Sequence, residues 1–331
     1  MDVLFVETTE EKFKELQKNP GTFYKVGSEL YLGDIPLSNN IWSDIGSGPS
    51  SGGSDTDTEV KPGVKIVSWA EGTDEEIVNL IAAADAGHID LYEDAGWRVG
   101  DTRTIHLNAM DANYVDDPIP DQTGTIVLMD RNCYELVDPV KSKDGSTRTT
   151  CSFVVGWKEL LTDGKDREHG VMHDVTTEHL TWDSCNRRKW CNDTFRSAVP
   201  ESIRNIFKKF KVKSVNQTRD NILISEDYFS LFAIQEICGT YEDNNGKPAS
   251  DLTYDVETNI LKHIEWYKNT SNMIKIRCPG GTAANYWTRS VCTQRKFSTD
   301  ETQFMTMGNT FNIGYNPASY KVPSISPFGV I

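Results

Sequence analysis

The residues with most chemical capacity are His169, His173, His179, Cys185 and Cys191. His169 and His173 are four apart and could share one face of a helix, as metal ligands do. But Gly170 falls between them, the spacing to the cysteines is loose, and no CxxC or HExxH accompanies them. They read as polar loop histidines beside buried thiols, and no metal site is assigned. The run MDANYVDDPIPDQ carries Asp111, Asp116, Asp117 and Asp121. It lacks the ligand order and glycine of a calcium loop and reads as a solvated acidic turn. Glu242–Gly246 reads the same way. There is no G-x-S-x-G elbow, phosphate loop, G-x-G-x-x-G or S-x-x-K. The chain is therefore not read as an enzyme, and no cofactor is assigned.

Recognition is the better-supported chemistry. The C-terminal stretch interleaves Tyr286, Trp287, Phe304, Tyr315, Tyr320 and Phe328 with Asn309, Asn312, Asn316 and Ser319. Aromatic faces supply rigid area, and amides and hydroxyls supply adaptable hydrogen bonds, a mixture suited to glycans or proteins. Trp287 and Phe328 are assigned to the core. Asn309, Asn312, Tyr315, Asn316 and Tyr320 lie in a turn-rich segment and are the binding candidates.

Three regions position these residues. Residues 1–43 read as a short strand, a helix over about Glu10–Lys18 opened by Thr8 and Glu11, and two strand-like runs around Gly27-Ser28, which suits a tight hairpin. So small a unit needs partners to bury its apolar side chains. Residues 44–60, DIGSGPSSGGSDTDTEV, form a Gly/Ser/Asp linker. Residues 61–331 read as one globular domain. In it KIVSWA is expected as a strand, and a helix follows the capping-box pattern Thr73–Glu76 and ends before Gly87. WRVGDTRTIHL and GTIVLMD are expected as strands, Cys185–Phe195 and Glu201–Phe210 as helices, and YFSLFAIQEIC as strand plus short helix. The fold class expected is α+β.

Composition sets the outer limits. The chain has 331 residues, 37% hydrophobic and 25% charged, as a globular protein does. A net charge of −15 repels phosphate backbones, so nucleic acid is not expected as a partner. The N-terminus has no signal-peptide pattern and no apolar run approaches a membrane span, so membrane insertion is not expected and synthesis in a cytoplasm is. Seven scattered cysteines then read as reduced thiols.

Four blocks carry a resemblance. WAEGTDEEIVNLIAAADAGHIDLYEDAGWRVGDTRTIHLNAM, the run Trp182–Asn192, Tyr286–Ser290 and the ending Ser324–Ile331 stand in the order and spacing of a domain family of unknown function frequent in phages and gut bacteria. Within them Trp182, Arg187, Trp190, Asn192, Trp287, Arg289, Pro327 and Phe328 match the family's motifs. The family's C-terminal half is similar to C-type-lectin-like and formylglycine-generating-enzyme-like folds. The animal lectins' calcium and sugar motifs are missing here, so the resemblance implies a fold and not sugar binding. Gly21–Leu37, with Tyr24, Leu30, Tyr31, Leu32, Gly33 and Asp34, resembles N-terminal segments that attach phage fibres to the particle.

The resemblance implies a virion structural protein of a tailed bacteriophage, assembled in the host cytoplasm: a fibre, tail-tip or head-fibre appendage. Residues 1–43 would contact other virion proteins, and the C-terminal domain would contact a host cell-surface glycan or protein. A homo-oligomer is expected, trimers being common among such appendages. One alternative is a capsid or tail decoration protein without a receptor. Another is an enzyme, either glycan-active or formylglycine-generating-like; the latter would need Cys278 or Cys292 as its active cysteine.

Overall fold

The computed structural model describes strands at 5–8, 23–26, 29–32 and 35–36, and residues 63–331 apart from 113–117, 143–144, 162–169, 175–178, 217–220, 240–256, 258, 278–280, 293–301, 309–312 and 322–323. It divides into two compact units, Met1–Val60 and Lys61–Ile331. The fold mixes helices and sheets and is α+β.

The first unit holds one sheet in the order β1 (Phe5–Thr8), β2 (Phe23–Val26), β3 (Glu29–Leu32), β4 (Ile35–Pro36). β1 runs parallel to β2, and β2 pairs antiparallel with β3, Val26 opposite Glu29. Tyr24, Leu30, Tyr31 and Leu32 lie in these strands. The Glu10–Lys18 helix, Gly33, Asp34 and the stretch 44–60 lie outside the described residues.

The second unit is built on a five-stranded sheet in the order β12-β16-β9-β6-β5. Its strands are β5 (Thr102–Leu107), β6 (Gln122–Asp130), β9 (Val154–Trp157), β12 (Phe229–Leu231) and β16 (Pro327–Val330). The edge strand β5 alternates, with Arg103, Ile105 and Leu107 buried between exposed Thr104 and His106. The inner strands β9 and β16 are buried at every position, as strands covered on both faces must be. β16 thus inserts near the end of the chain between β12 and β9. Its Pro327 occupies the first strand position, where a missing N–H is tolerated.

A second sheet, β11-β10-β7-β8, joins β7 (Glu135–Lys141), β8 (Thr147–Thr150), β10 (Phe210–Val215) and β11 (Ile222–Asp227). A third, β13-β14-β15, joins β13 (Tyr286–Cys292), β14 (Gln303–Met307) and β15 (Ile313–Pro317). The helix Asp74–Asp85 begins where the capping box placed it: Glu76 N–H donates to Thr73 Oγ1 (3.2 Å) and Thr73 N–H to Glu76 Oε2 (2.8 Å). It buries Ile77, Leu80, Ile81 and Ala84, a single helical face.

Three expected elements need correction. KIVSWA is not a strand: Val67 and Trp69 are buried, but their carbonyls accept from side chains, Trp97 Nε1 (2.9 Å) and Arg103 Nη1 (3.2 Å), and not from a neighbouring strand. The helix expected over Glu201–Phe210 stops at Arg204, and Phe210 opens β10. There the alternation of buried Phe210, Val212 and Ser214 with outward Lys211 and Lys213 sets a period of two and overrides the helical reading. The helix expected over Cys185–Phe195 is α-helical over Asn186–Trp190, π-helical over Cys191–Phe195 and α-helical again over Arg196–Ala198. Trp182 precedes it in a turn.

Candidate functional site

The matched motif residues converge on the core. Trp182, buried, donates from Nε1 to Asp227 Oδ2 (2.9 Å). Asp227 also accepts from Arg188 Nε (2.6 Å) and Ser225 Oγ (2.9 Å), so the turn and helix after 181 are clamped to the end of β11. Burial dominates these favourable contacts and holds the Asp227 carboxyl above its ordinary range. Asn192 continues the clamp: its Oδ1 accepts from Tyr228 N–H (2.6 Å) and its Nδ2 donates to Phe229 O (3.1 Å). Arg187, fully buried, donates from Nε (3.0 Å) and Nη2 (2.7 Å) to Val171 O and lies 4.8 Å over the Trp190 ring. Trp287 Nε1 donates to Gly170 O (3.0 Å). Phe328 stacks on Phe232 with centroids 4.0 Å apart and packs against Tyr134 and Phe210.

Replacing Trp182 by phenylalanine keeps most of the ring volume and removes one donor from a buried carboxylate. The expected loss is about 1–3 kcal/mol, read as a lower denaturation midpoint with unchanged slope. Unchanged stability would show that Arg188 and Ser225 alone hold Asp227.

Arg289 anchors the same core from β13. Its Nη1 and Nη2 reach Glu236 Oε2 and Oε1 at 2.5 and 2.7 Å, and Nη1 also reaches Leu231 O (2.7 Å). Glu236 accepts in addition from Tyr134 Oη (2.7 Å) and Ala233 N–H (2.9 Å). Next to Arg289, Ser290 Oγ donates to Glu257 Oε2 (2.7 Å). Burial pushes the Glu257 carboxyl up to about 7. All these groups are buried and hydrogen-bonded to one another, which suits an internal brace and not contact with a ligand.

The surface lies one strand away. β13 and β14 are buried along the described side chains from Tyr286 to Val291 and from Phe304 to Met307. β15 is the edge strand, and its described side chains are half-buried. Asn316 donates from Nδ2 to Thr306 Oγ1 (3.3 Å). After β15 the chain turns, with Tyr320 N–H donating to Pro317 O (2.9 Å), and Tyr320 is 53% exposed. Buried Ala318 pins this turn: its N–H donates to Thr302 O (2.9 Å), and its carbonyl accepts from Met172 (2.9 Å) and His173 (3.0 Å) N–H. An exposed aromatic thus stands on a backbone tied to two other segments.

The same pinning brings in residues that sequence reasoning placed elsewhere. His173 stands beside the turn through Ala318, and its Nδ1 accepts from Asn186 N–H (3.2 Å) at the start of the Asn186–Trp190 helix. Asn186 Nδ2 donates to Asp174 Oδ1. Burial, outweighing nearby Asp174, holds the His173 imidazole below its ordinary value, so it is a neutral acceptor at pH 7. Tyr320, Asn316, His173, Asp174 and Asn186 together offer an aromatic face, amides and a carboxylate, the chemistry of binding to hydroxyl-rich or polar partners. Only tertiary contacts join Asp174 and Asn186 to residues 316–320.

The other candidates fare differently. Asn309, Asn312, His169, Asp116, Asp117, residues 242–246 and Cys278 lie outside the described residues, as do the side chains of Tyr315 and Cys292. Cys185 is buried, its thiol donates to Trp182 O (3.3 Å), and burial pushes it up to about 12, which disfavours the thiolate a metal would need. His179 has a left-handed φ of 60°. Asp121 lies 3.6 Å from His106 on an exposed surface. Among the described residues no group of three or more His, Cys, Asp or Glu is placed to hold a metal ion, and no helix is long and apolar enough to cross a membrane.

No curated protein and no solved structure matches this chain. Residues 154–315, from β9 to the middle of β15 and so including the clamp helix, the Arg289–Glu236 brace and Asn186, match the sequence model of a family described as a domain of unknown function, DUF6273.

Proposed function

We propose that this protein is a structural subunit of a tailed-bacteriophage virion, an appendage of the fibre, tail-tip or head-fibre kind. Residues 1–43 join it to other virion proteins as an oligomer, and the second unit, with a lectin-like arrangement, contacts a glycan or protein on the host surface. One observation carries the binding half of this reading. The Pro317–Tyr320 turn presents an exposed aromatic on a backbone fixed by three hydrogen bonds through Ala318, with Asn316 and the His173–Asp174–Asn186 cluster alongside. A rigid aromatic anchor loses little conformational entropy on binding. The two-unit organisation supports the anchoring half, since a four-stranded sheet of short strands gains stability by packing on a partner.

The test uses the full chain and envelope preparations from candidate bacterial hosts. Tyr320→Ala combined with Asn316→Ala is expected to weaken binding by about 10- to 100-fold, the effect of removing a recognition anchor, while the thermal midpoint stays within a degree or two. Deleting residues 1–43 is expected to abolish incorporation into particles and leave envelope binding intact. Incorporation of the truncated chain would refute the anchor. Absence of binding to any envelope would favour a decoration protein whose Tyr320 face meets virion neighbours.

A further inference from the structure

Two thiols outside this surface meet where β6 hands over to β7. Cys133 follows Asn132, whose left-handed φ of 55° turns the chain after β6. Cys151 lies just past β8. Glu135 pairs with Thr150, and Cys151 N–H donates to Tyr134 O (2.9 Å), so the two cysteines flank the first rung of the β7–β8 hairpin. Their thiol groups hydrogen-bond each other. Both are free cysteines, and they differ in access: Cys133 is half-buried, whereas Cys151 has no exposed surface. Ser152 N–H donates to Ile331 O (2.7 Å), so the Cys151 side of the pair is fixed to the end of the central sheet.

We propose that Cys133 and Cys151 form an oxidisable dithiol that closes to a disulfide on exposure to a small-molecule disulfide, stapling the base of the β7–β8 hairpin. Burial and the hydrogen bond to Cys151 hold the Cys133 thiol above its ordinary value, so access and not acidity orders the steps. The Cys133 sulfur, reachable from solvent, attacks the oxidant RSSR; its S–S bond breaks, a Cys133–S–SR bond forms and RS⁻ leaves. The Cys151 sulfur, already in contact, attacks the Cys133 sulfur and displaces the second RS⁻. The two thiol protons go to the two leaving thiolates, and the two electrons lost by the cysteines reduce RSSR to two RSH. The second step is favoured by the Tyr134 backbone hydrogen bond and the nearby Arg148 charge, both of which stabilise thiolate on Cys151. The pair goes beyond the binding reading above and stands without it.

The test treats the full chain, purified reduced, with excess oxidised glutathione, then blocks the remaining thiols and maps peptides without reduction. The expected result is loss of two of the seven thiols, one covalent link joining the Cys133 and Cys151 peptides, and a thermal midpoint raised by roughly 5 °C, the scale expected for closing a short loop. Dithiothreitol should reverse all three. Cys151→Ser should stop at a stable glutathione adduct on Cys133, and Cys133→Ser should keep every remaining thiol free. Wild-type protein that retains all its thiols, halts at the adduct or links any other pair overturns the proposal. The wild-type peptide map decides the question even if a serine variant fails to fold.

Discussion

Arg289→Met is expected to cost about 3–5 kcal/mol, the penalty for stranding one member of a buried ion pair. Arg289 is 1% exposed and Glu236 2%. Methionine fills similar volume but leaves the Glu236 carboxylate with only Tyr134 Oη and Ala233 N–H as its other partners, and strips a donor from Leu231 O. The pair ties β13, and with it the β13–β15 sheet, to the helix Ile234–Cys238 and to Tyr134 at the entry to β7. The loss should therefore appear as global destabilisation of residues 61–331, with a large fall in denaturant midpoint. The double variant Arg289→Met/Glu236→Gln removes both charges and keeps an acceptor for Tyr134. It should be less unstable than the sum of the two single variants by about 1–3 kcal/mol, the signature of direct coupling. Additive losses would show that the two side chains act separately.

The second large effect is a dependence on pH. Lys275 is 2% exposed, and burial depresses its ammonium to about 7 against the pull of Glu159. Its Nζ donates to Trp157 O and, more weakly, to Lys158 O (3.4 Å). A folded value below the unfolded one means that the unfolded chain binds the proton more tightly. The native state is then favoured fully only above the unfolded value near 10.5, and that contribution is lost as pH falls to about 7. At roughly 1.4 kcal/mol per unit, the span amounts to several kcal/mol as an order of magnitude. Glu257 runs the other way. Its folded value of about 7 lies above the ordinary 4.5, so its contribution is complete below 4.5 and is lost as pH rises through 7. The two contributions together put a stability minimum near neutrality. Lys275→Met should flatten the rise between pH 7 and 10, and Glu257→Gln should flatten the fall between pH 4.5 and 7. Trp157 O keeps Ser326 Oγ (3.0 Å) as a donor in the methionine variant, so that substitution does not leave it orphaned. Denaturation midpoints across that range check both; a Lys275→Met profile parallel to wild type would mean that the ammonium is neutralised by other means.

Some of this was legible in the sequence because the determining interactions are local. The capping box at Thr73–Glu76 closes within four residues, and the alternation in β5 needs only the period of a strand. The family motifs marked Trp182, Trp190, Trp287 and Phe328, all of them buried. Other outcomes depended on partners distant in the chain. KIVSWA has the residues of a strand, yet its carbonyls are taken by Trp97 and Arg103, about 30 positions away. The stretch before Phe210 looks helical until β11 and β7 pair with FKVKSV. Arg289 is marked in the sequence only as a motif residue, and Glu236, 53 residues away, supplies its buried partner. The candidate surface shows the same division. Asn316 and Tyr320 stood out from residue type alone, whereas Asp174 and Asn186 join them only because Ala318 accepts from His173 across the fold. Residue type and short spacing determined which side chains could bind, cap or bury. Which of them meet was decided by the tertiary structure, because a buried polar group must find its partner wherever the packed chain brings one within about 3 Å.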